Sequence, residues 1–258
     1  MLTDTHAHLY YPEILDRLED VLKSAIDSGI GRIIAPAVNL ETSLKVLELS
    51  KANSEIYCAL GIHPCDVMKV KDNELEEIES LIGSGKVVAV GETGLDYYWD
   101  VSSIDIQKEF FRKQIRIASE NDLPVIVHTR NSLDDAVSII REEYGRYPVK
   151  AHFHCFSGNR DQLRDCLSIP GVYISFCGNI TYKKSGMDEV IAEVPPGRLL
   201  SETDSPFLPP VPYRGKANQP AYMIKTIEKI AEVKGTDAGE LSEILSENAA
   251  EFFRFGKH

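Results

Sequence analysis

Short runs of consecutive apolar residues recur along this chain, each followed by a stretch in which apolar residues return every three or four positions. A continuous apolar run suits a parallel strand covered on both faces, whereas the three-to-four spacing marks an amphipathic helix. Strands are predicted at residues 2–5, 32–35, 56–62, 87–90, 124–127, 149–153, 172–176 and 199–200. Between the first two, Pro12 stands where a first helical turn accepts proline and Gly29 where a helix ends. Ile14, Leu15, Leu18, Val21, Leu22, Ala25 and Ile26 would share one face of that single helix. Helical patterns follow at residues 40–53, around Leu75, Ile78 and Leu81, and at 110–118, where Phe110, Phe111, Ile115 and Ala118 form the buried side. Asn131 is placed to cap the helix carrying Ala136, Val137 and Ile140. Later helical patterns lie at 163–167, 187–194, 223–233 and 241–253.

Eight strand–helix units in a chain of 258 residues predict an α/β fold, a (β/α)8 TIM-type barrel. Residues 1–258 then form one domain, with the active site at the C-terminal ends of the strands. A doubly wound open sheet is the alternative. The Pro-rich piece 206–212 reads as a rigid loop within the domain.

Composition narrows the function classes. Apolar residues make up 43% and charged residues 26%, which is ordinary for a globular chain with ample core. A formal net charge of −12 argues against a broad basic surface that coats nucleic acid, though not against a local phosphate site. Five scattered cysteines without a Cys-X-X-Cys pair suggest reduced thiols. With polar residues where a signal peptide would be apolar, and no run long enough for a membrane span, the expected compartment is cytoplasmic.

The candidate chemistry is positional. On a strand, residues i and i+2 share a face, so His6 and His8 would present two imidazoles spaced to grip one divalent metal. His63, Glu92, His128, His154 and Asp204 stand, like that pair, at or just past predicted strand ends. In a barrel those ends converge on one mouth. Each residue has a structural alternative. Asp204 could cap the turn before Pro206, His128 and His154 could be core histidines, and His63 could shape its turn before Pro64 or touch substrate. His152 competes with His154 by proximity. A glutamate after four apolar residues, as Glu92 is, needs a partner when buried.

Five motifs stand in order: Asp4-Thr5-His6-Ala7-His8, Gly61-Ile62-His63-Pro64, Gly91-Glu92-Thr93-Gly94-Leu95-Asp96, His154-Cys155-Phe156-Ser157-Gly158 and Glu202-Thr203-Asp204-Ser205-Pro206-Phe207-Leu208. Together they resemble the TatD family of metal-dependent deoxyribonucleases, within the amidohydrolase-like barrel hydrolases. The likeness extends to Arg214-Gly215-Lys216 and Asn218, and the one small departure is Cys65, where members often carry histidine.

The resemblance implies two divalent ions, with magnesium, zinc and manganese as candidates. His6 and His8 would hold one ion with Asp204 close by, His128 and His154 the other, and Glu92 would bridge them. Asp204 would orient the attacking water or accept its proton, so Asp204 and Glu92 are the catalytic pair. The motif selects His154 and leaves His152 facing elsewhere. His63, Arg214 and Lys216 are the candidate substrate contacts, the last two as phosphate ligands or else a solvated basic patch. Tyr97, Tyr98 and Trp99 either stack on a base or pack under their loop. The implied activity is hydrolysis of DNA phosphodiester bonds, from an end or on single strands, with no membrane and no obligate protein partner. An amidase, lactonase or deaminase on the same barrel is the first alternative, and a non-catalytic metal- or partner-binding barrel the second.

Overall fold

Among the described residues, seven strands, all parallel, lie side by side in chain order: β1 (Leu2–Asp4), β2 (Ile30–Pro36), β3 (Ile56–Leu60), β4 (Val87–Asp96), β5 (Val125–Arg130), β6 (Ala151–Phe153) and β7 (Val172–Ile174). The computed structural model describes residues 1–71, 73–99 and 101–255. Helices alternate with the strands: α1 (Pro12–Leu15), α2 (Leu18–Asp27), α3 (Leu40–Ala52), α4 (Glu74–Leu81), α5 (Ile104–Glu120), α6 (Leu133–Tyr144), α7 (Arg160–Leu167), α8 (Asp188–Glu193), α9 (Met223–Lys234) and α10 (Ala238–Phe253). Among the described residues, none is long and apolar enough to cross a membrane.

The sheet curls but is not the closed eight-stranded barrel expected from the pattern. Residues 199–205 form no strand and meet the two sheet edges at isolated points. The Leu200 N–H donates to Ile174 O at one edge, and the Thr5 N–H donates to Ser201 O at the other. The ladder is interrupted at Thr203 for a local reason, although beyond it the Asp204 N–H donates to His6 O and the His8 N–H to Ser205 O. The Thr203 N–H, which would continue the ladder, donates instead to Asp4 Oδ1 at 3.0 Å, and the Thr203 hydroxyl donates to Asp4 Oδ2 at 2.6 Å. Asp204 then turns into the left-handed region at φ 58°.

Two apolar clusters follow from the strand alternation. The larger lies between the sheet and its helices. The smaller, including Ile34, Ala59, Ala89, Ile126 and Leu200, fills the inside of the curl and packs on Phe252 and Phe253 of α10. Two residues beyond Ile126 and Leu200 on that inner side come His128 and Glu202, so the interior changes from apolar to ionisable along the strands.

Three local expectations are corrected. The first helix is broken into α1 and α2, because Arg17 leaves helical geometry and its Nε donates to Glu13 O. Leu15 and Ile26, expected on the buried face, are exposed. The cap of α6 is Ser132 rather than Asn131, which takes a positive φ of 57°. The Ser132 hydroxyl donates back to Leu95 O at 2.6 Å, fastening the start of α6 to the end of β4.

Candidate metal centre

The central strand of the site runs longer than its apolar run. β4 continues past Val90 through Glu92 to Asp96, with a register shift against β5 between Val90 and Thr93. Gly94, at φ 130°, lets the two strands approach where a Cβ would collide with the His128 carbonyl. Behind them, α5 sends two buried glutamines forward. Gln107 accepts the Asp96 N–H at 2.8 Å and donates to Asp96 O at 3.0 Å. Gln114 accepts the Ile62 N–H at 2.7 Å and donates to Thr93 Oγ1 at 2.7 Å. These clamps hold β4 just after Glu92 and the backbone just before His63.

Glu92, 3% exposed, divides its two oxygens between two groups of histidines. Oε2 lies 3.4 Å from His6 Nε2 and 3.5 Å from His8 Nε2. The two imidazole nitrogens are 3.2 Å apart, and Asp204 Oδ1 lies 3.7 Å from His6 Nε2 and 3.5 Å from His8 Nε2. Two donors about 2.1 Å from one tetrahedral cation stand about 3.4 Å apart. Five of the six separations among these four atoms cluster around that value, so His6, His8 and Glu92, with Asp204 beside them, fit one divalent ion.

Oε1 faces the second group. It lies 2.9 Å from His128 Nδ1, 3.0 Å from His154 Nε2 and 3.5 Å from His63 Nε2. His128 Nδ1 and His154 Nε2 are 3.4 Å apart. The His154 ring stacks on His6 at 3.9 Å between centroids, which joins the two groups through their ring faces. Burial opposes ionisation of Glu92, but His154, His63, His6 and the bond from His128 outweigh it and hold the carboxyl well below its usual range. Burial also opposes charging of His154, yet Glu92 and Glu202 raise it well above an ordinary imidazole. The cluster thus favours positive charge beside Glu92.

His8 and His128 are gripped from behind, the arrangement that fixes a ligand's tautomer and aim, while His154 faces a carboxylate without a hydrogen bond to it. His8 Nδ1 lies 3.0 Å from the Tyr10 hydroxyl. His128 Nε2 lies 3.0 Å from Asp96 Oδ2, and His154 Nδ1 lies 3.6 Å from Glu202 Oε2. Burial alone would raise Asp96; the bond from His128 and the N–H groups of Trp99 and Tyr98 hold it down to about 2. Glu202 is anchored by the Ser175 hydroxyl at 2.7 Å and the Cys155 N–H at 2.5 Å. His63 differs, since its Nδ1 accepts the Cys65 N–H at 3.1 Å. In the neutral ring the proton therefore sits on Nε2, which makes His63 a donor toward the site rather than a metal ligand.

The structure thus gathers His6, His8, His63, Glu92, His128, His154 and Asp204 around one carboxylate. It does not bring Arg214 or Lys216 to them by any hydrogen bond or ion pair among the described residues. Both are exposed, and the Arg214 guanidinium sits 4.5 Å above the Tyr182 ring. Their loop is nevertheless tied to the Asp204 segment, because Asn218 Nδ2 donates to Thr203 O at 2.9 Å and to Phe207 O at 2.7 Å. His152 does not face elsewhere. On β6, one residue before that strand ends, it points into the curl, 6.1 Å from the Phe252 ring and one layer deeper than His154, with Nε2 2.5 Å from Ser175 Oγ.

Glu202, Gln107 and Gln114 were not singled out from sequence. The signals were present: Leu200, Glu202 and Asp204 follow strand alternation, and the two glutamines lie seven apart on the apolar face of α5. Tyr97 also resolves, because its hydroxyl donates to Asp135 Oδ2 at 2.7 Å and it packs against the core beneath the loop.

This geometry accords with the comparisons. The family described as TatD related DNase matches residues 3–254. The metal-dependent hydrolase YabD of Bacillus subtilis is 42% identical over 255 residues, covering 98% of this chain and 99% of its own. A protein of Pectobacterium parmentieri named 3'-5' ssDNA/RNA exonuclease TatD is 33% identical, over 92% of this chain and 93% of its own. The crystal structure of YjjV, a TatD homologue from Escherichia coli, superposes with a TM-score of 0.92 at 32% identity and 98% coverage of each chain. The chain belongs to the TatD family of metal-dependent hydrolases.

Proposed function

We propose that this hydrolase cleaves phosphodiester bonds of DNA, from an end or on single strands, using two divalent ions that His6, His8 and Asp204, His128 and His154, and Glu92 between them would hold. The observation that carries this reading is the division of the Glu92 oxygens, Oε2 toward His6 and His8 and Oε1 toward His128 and His154. Mixed imidazole and carboxylate donors suit zinc or manganese and admit magnesium. Such ions, when bound, supply an acidified water and offset charge on the phosphoryl oxygens. Asp204 orients the nucleophile and accepts its proton. His63 Nε2–H donates toward a phosphoryl or leaving oxygen, and Asp96 and Glu202 keep His128 and His154 aimed. Arg214 and Lys216, on the loop tied to Thr203, hold a neighbouring phosphate.

One relative's name specifies exonuclease action on single-stranded DNA and RNA, which supports a nucleic-acid substrate. The five cysteines, none in a disulfide, suit a reducing compartment, and we place the enzyme in the cytoplasm. A screen of the metal-replete protein on DNA, RNA, small phosphodiesters and amides, with chelated protein as control, tests the reading. Metal-dependent cleavage of DNA is expected. Turnover of an amide or lactone with none of any phosphodiester would replace the reading by the amidohydrolase alternative.

A further inference from the structure

Beside the histidine cluster, the turn that follows β4 presents two aromatic rings to solvent. Trp99 is 68% exposed and Tyr98 54% exposed, so neither packs under the loop as Tyr97 does. Two large rings exposed side by side offer flat faces on which a planar ligand can stack. These two are also held in place. Asp96 Oδ1 accepts both the Tyr98 N–H at 2.9 Å and the Trp99 N–H at 3.0 Å, while the same carboxylate's Oδ2 lies 3.0 Å from His128 Nε2. One side chain therefore couples the aromatic turn to the metal-site histidine.

A cation completes the surface. Arg130, two residues beyond His128 on β5, lays its guanidinium 3.9 Å from the Tyr98 centroid and 5.3 Å from the Trp99 centroid. The two rings meet edge to face at 87° and 4.9 Å. Tyr98 is thus spent on the arginine, whereas Trp99 keeps an exposed indole. Arg130 is itself exposed and, among the described residues, its guanidinium meets only the Tyr98 and Trp99 rings and no carboxylate, so its N–H groups remain available to an anion. A planar π-surface and an unpaired guanidinium at this spacing match the two parts of a nucleotide, in a chain whose net charge of −12 otherwise repels one.

We propose that Trp99 and Arg130 form a nucleotide subsite beside the metal centre: an unpaired base stacks on the indole, and the guanidinium takes the adjoining phosphate. The inference rests on the phosphodiesterase reading for its ligand class and adds where the strand is held. Every base has a π-face, so the subsite accepts single strands with little sequence preference, and a base locked in a duplex stack cannot reach it.

Trp99 is the only tryptophan in the chain, so tryptophan emission, excited at wavelengths that the eleven tyrosines do not absorb, reports on this position alone. Metal-loaded, full-length protein is titrated with a cleavage-resistant, phosphorothioate-linked oligothymidylate. Separate titrations use an abasic oligomer of the same length and charge and a duplex of the same length. Saturable quenching by the single strand is expected, with the abasic oligomer and the duplex binding about fivefold to hundredfold more weakly, the range for one lost base stack. Trp99→Ala should raise KM for single-stranded DNA by a similar factor at unchanged metal content, and Trp99→Phe should restore most of it. Arg130→Gln should weaken both single-stranded oligomers and flatten the salt dependence of binding. Equal binding of the thymidylate and abasic oligomers, or an unaltered KM in Trp99→Ala, overturns the subsite. Cleavage of DNA without these effects leaves the phosphodiesterase reading standing. Base-dependent quenching in a protein that cleaves no phosphodiester sinks that reading and leaves the subsite.

Discussion

Replacing Glu92 by glutamine keeps the side chain's shape and removes the property on which the centre depends. Five imidazole nitrogens lie within 2.9–3.5 Å of its two oxygens, two on one oxygen and three on the other. An amide offers one oxygen and one NH2 group, so whichever way it turns, one cluster faces donors where it had an acceptor. The other cluster keeps only a neutral oxygen. An interaction with a charged acceptor contributes about 1.5–3 kcal/mol, so each ion should bind about tenfold to hundredfold more weakly. At free metal a thousandfold above Kd, binding stabilises the native state by about 4.1 kcal/mol per site. A hundredfold loss of affinity cuts that to about 1.4 kcal/mol. At about 2–4 °C per kcal/mol for a chain of this size, the metal-dependent rise in Tm should shrink by roughly 5–11 °C per site, or about 11–22 °C for both. Calorimetric melts with and without metal, and metal analysis of the purified variant, measure both quantities. A Glu92→Gln protein that retains two ions with wild-type affinity would remove the bridging role, and with it the main support for two-ion chemistry.

Chelating the wild type should lower its Tm at neutral pH, since the ions bind the native state alone and separate buried carboxylates; an unchanged melt would show that the cluster is not a metal site. Asp96→Asn cannot serve both its partners, because the amide oxygen can accept from the Tyr98–Trp99 turn or from His128 but not both. It should therefore weaken the ion at His128 about tenfold to hundredfold and spare the one at His6 and His8, which metal titration of the variant resolves. Arg214→Ala should lower kcat/KM on DNA about tenfold to hundredfold with both ions retained and with a shallower salt response, and Arg214→Lys should recover part of the loss. Wild-type rates and salt response in Arg214→Ala would reduce that loop to a solvated patch. His63→Ala should slow turnover at unchanged metal content, as a donor should; loss of an ion instead would make it a ligand.

The strand–helix rhythm and the placing of most site residues could be read along the chain, because both depend on periodicities of a few residues. Continuous apolar runs mark parallel strands wherever they occur, and the end of such a run is where His128 and His154 stop being core positions. The partners of those residues lie beyond that range. Asp96 reaches His128 across 32 positions and Glu202 reaches the Cys155 N–H across 47. No local pattern reports which side of an imidazole a distant carboxylate will grip. The same limit explains the eighth segment. Leu199 and Leu200 carry the pattern of a strand, but 199 positions from Thr203 the Asp4 carboxylate takes the N–H that a ladder would have used. The exposed Trp99 shows the limit in reverse, since its sequence context suits packing under a loop as well as stacking on a base. Composition determined that there would be a core, and the periodicity that metal-capable side chains would stand at the strand ends. Only tertiary contact decided which oxygen of Glu92 faces which histidines, because that choice is made by groups brought together from six separate parts of the chain.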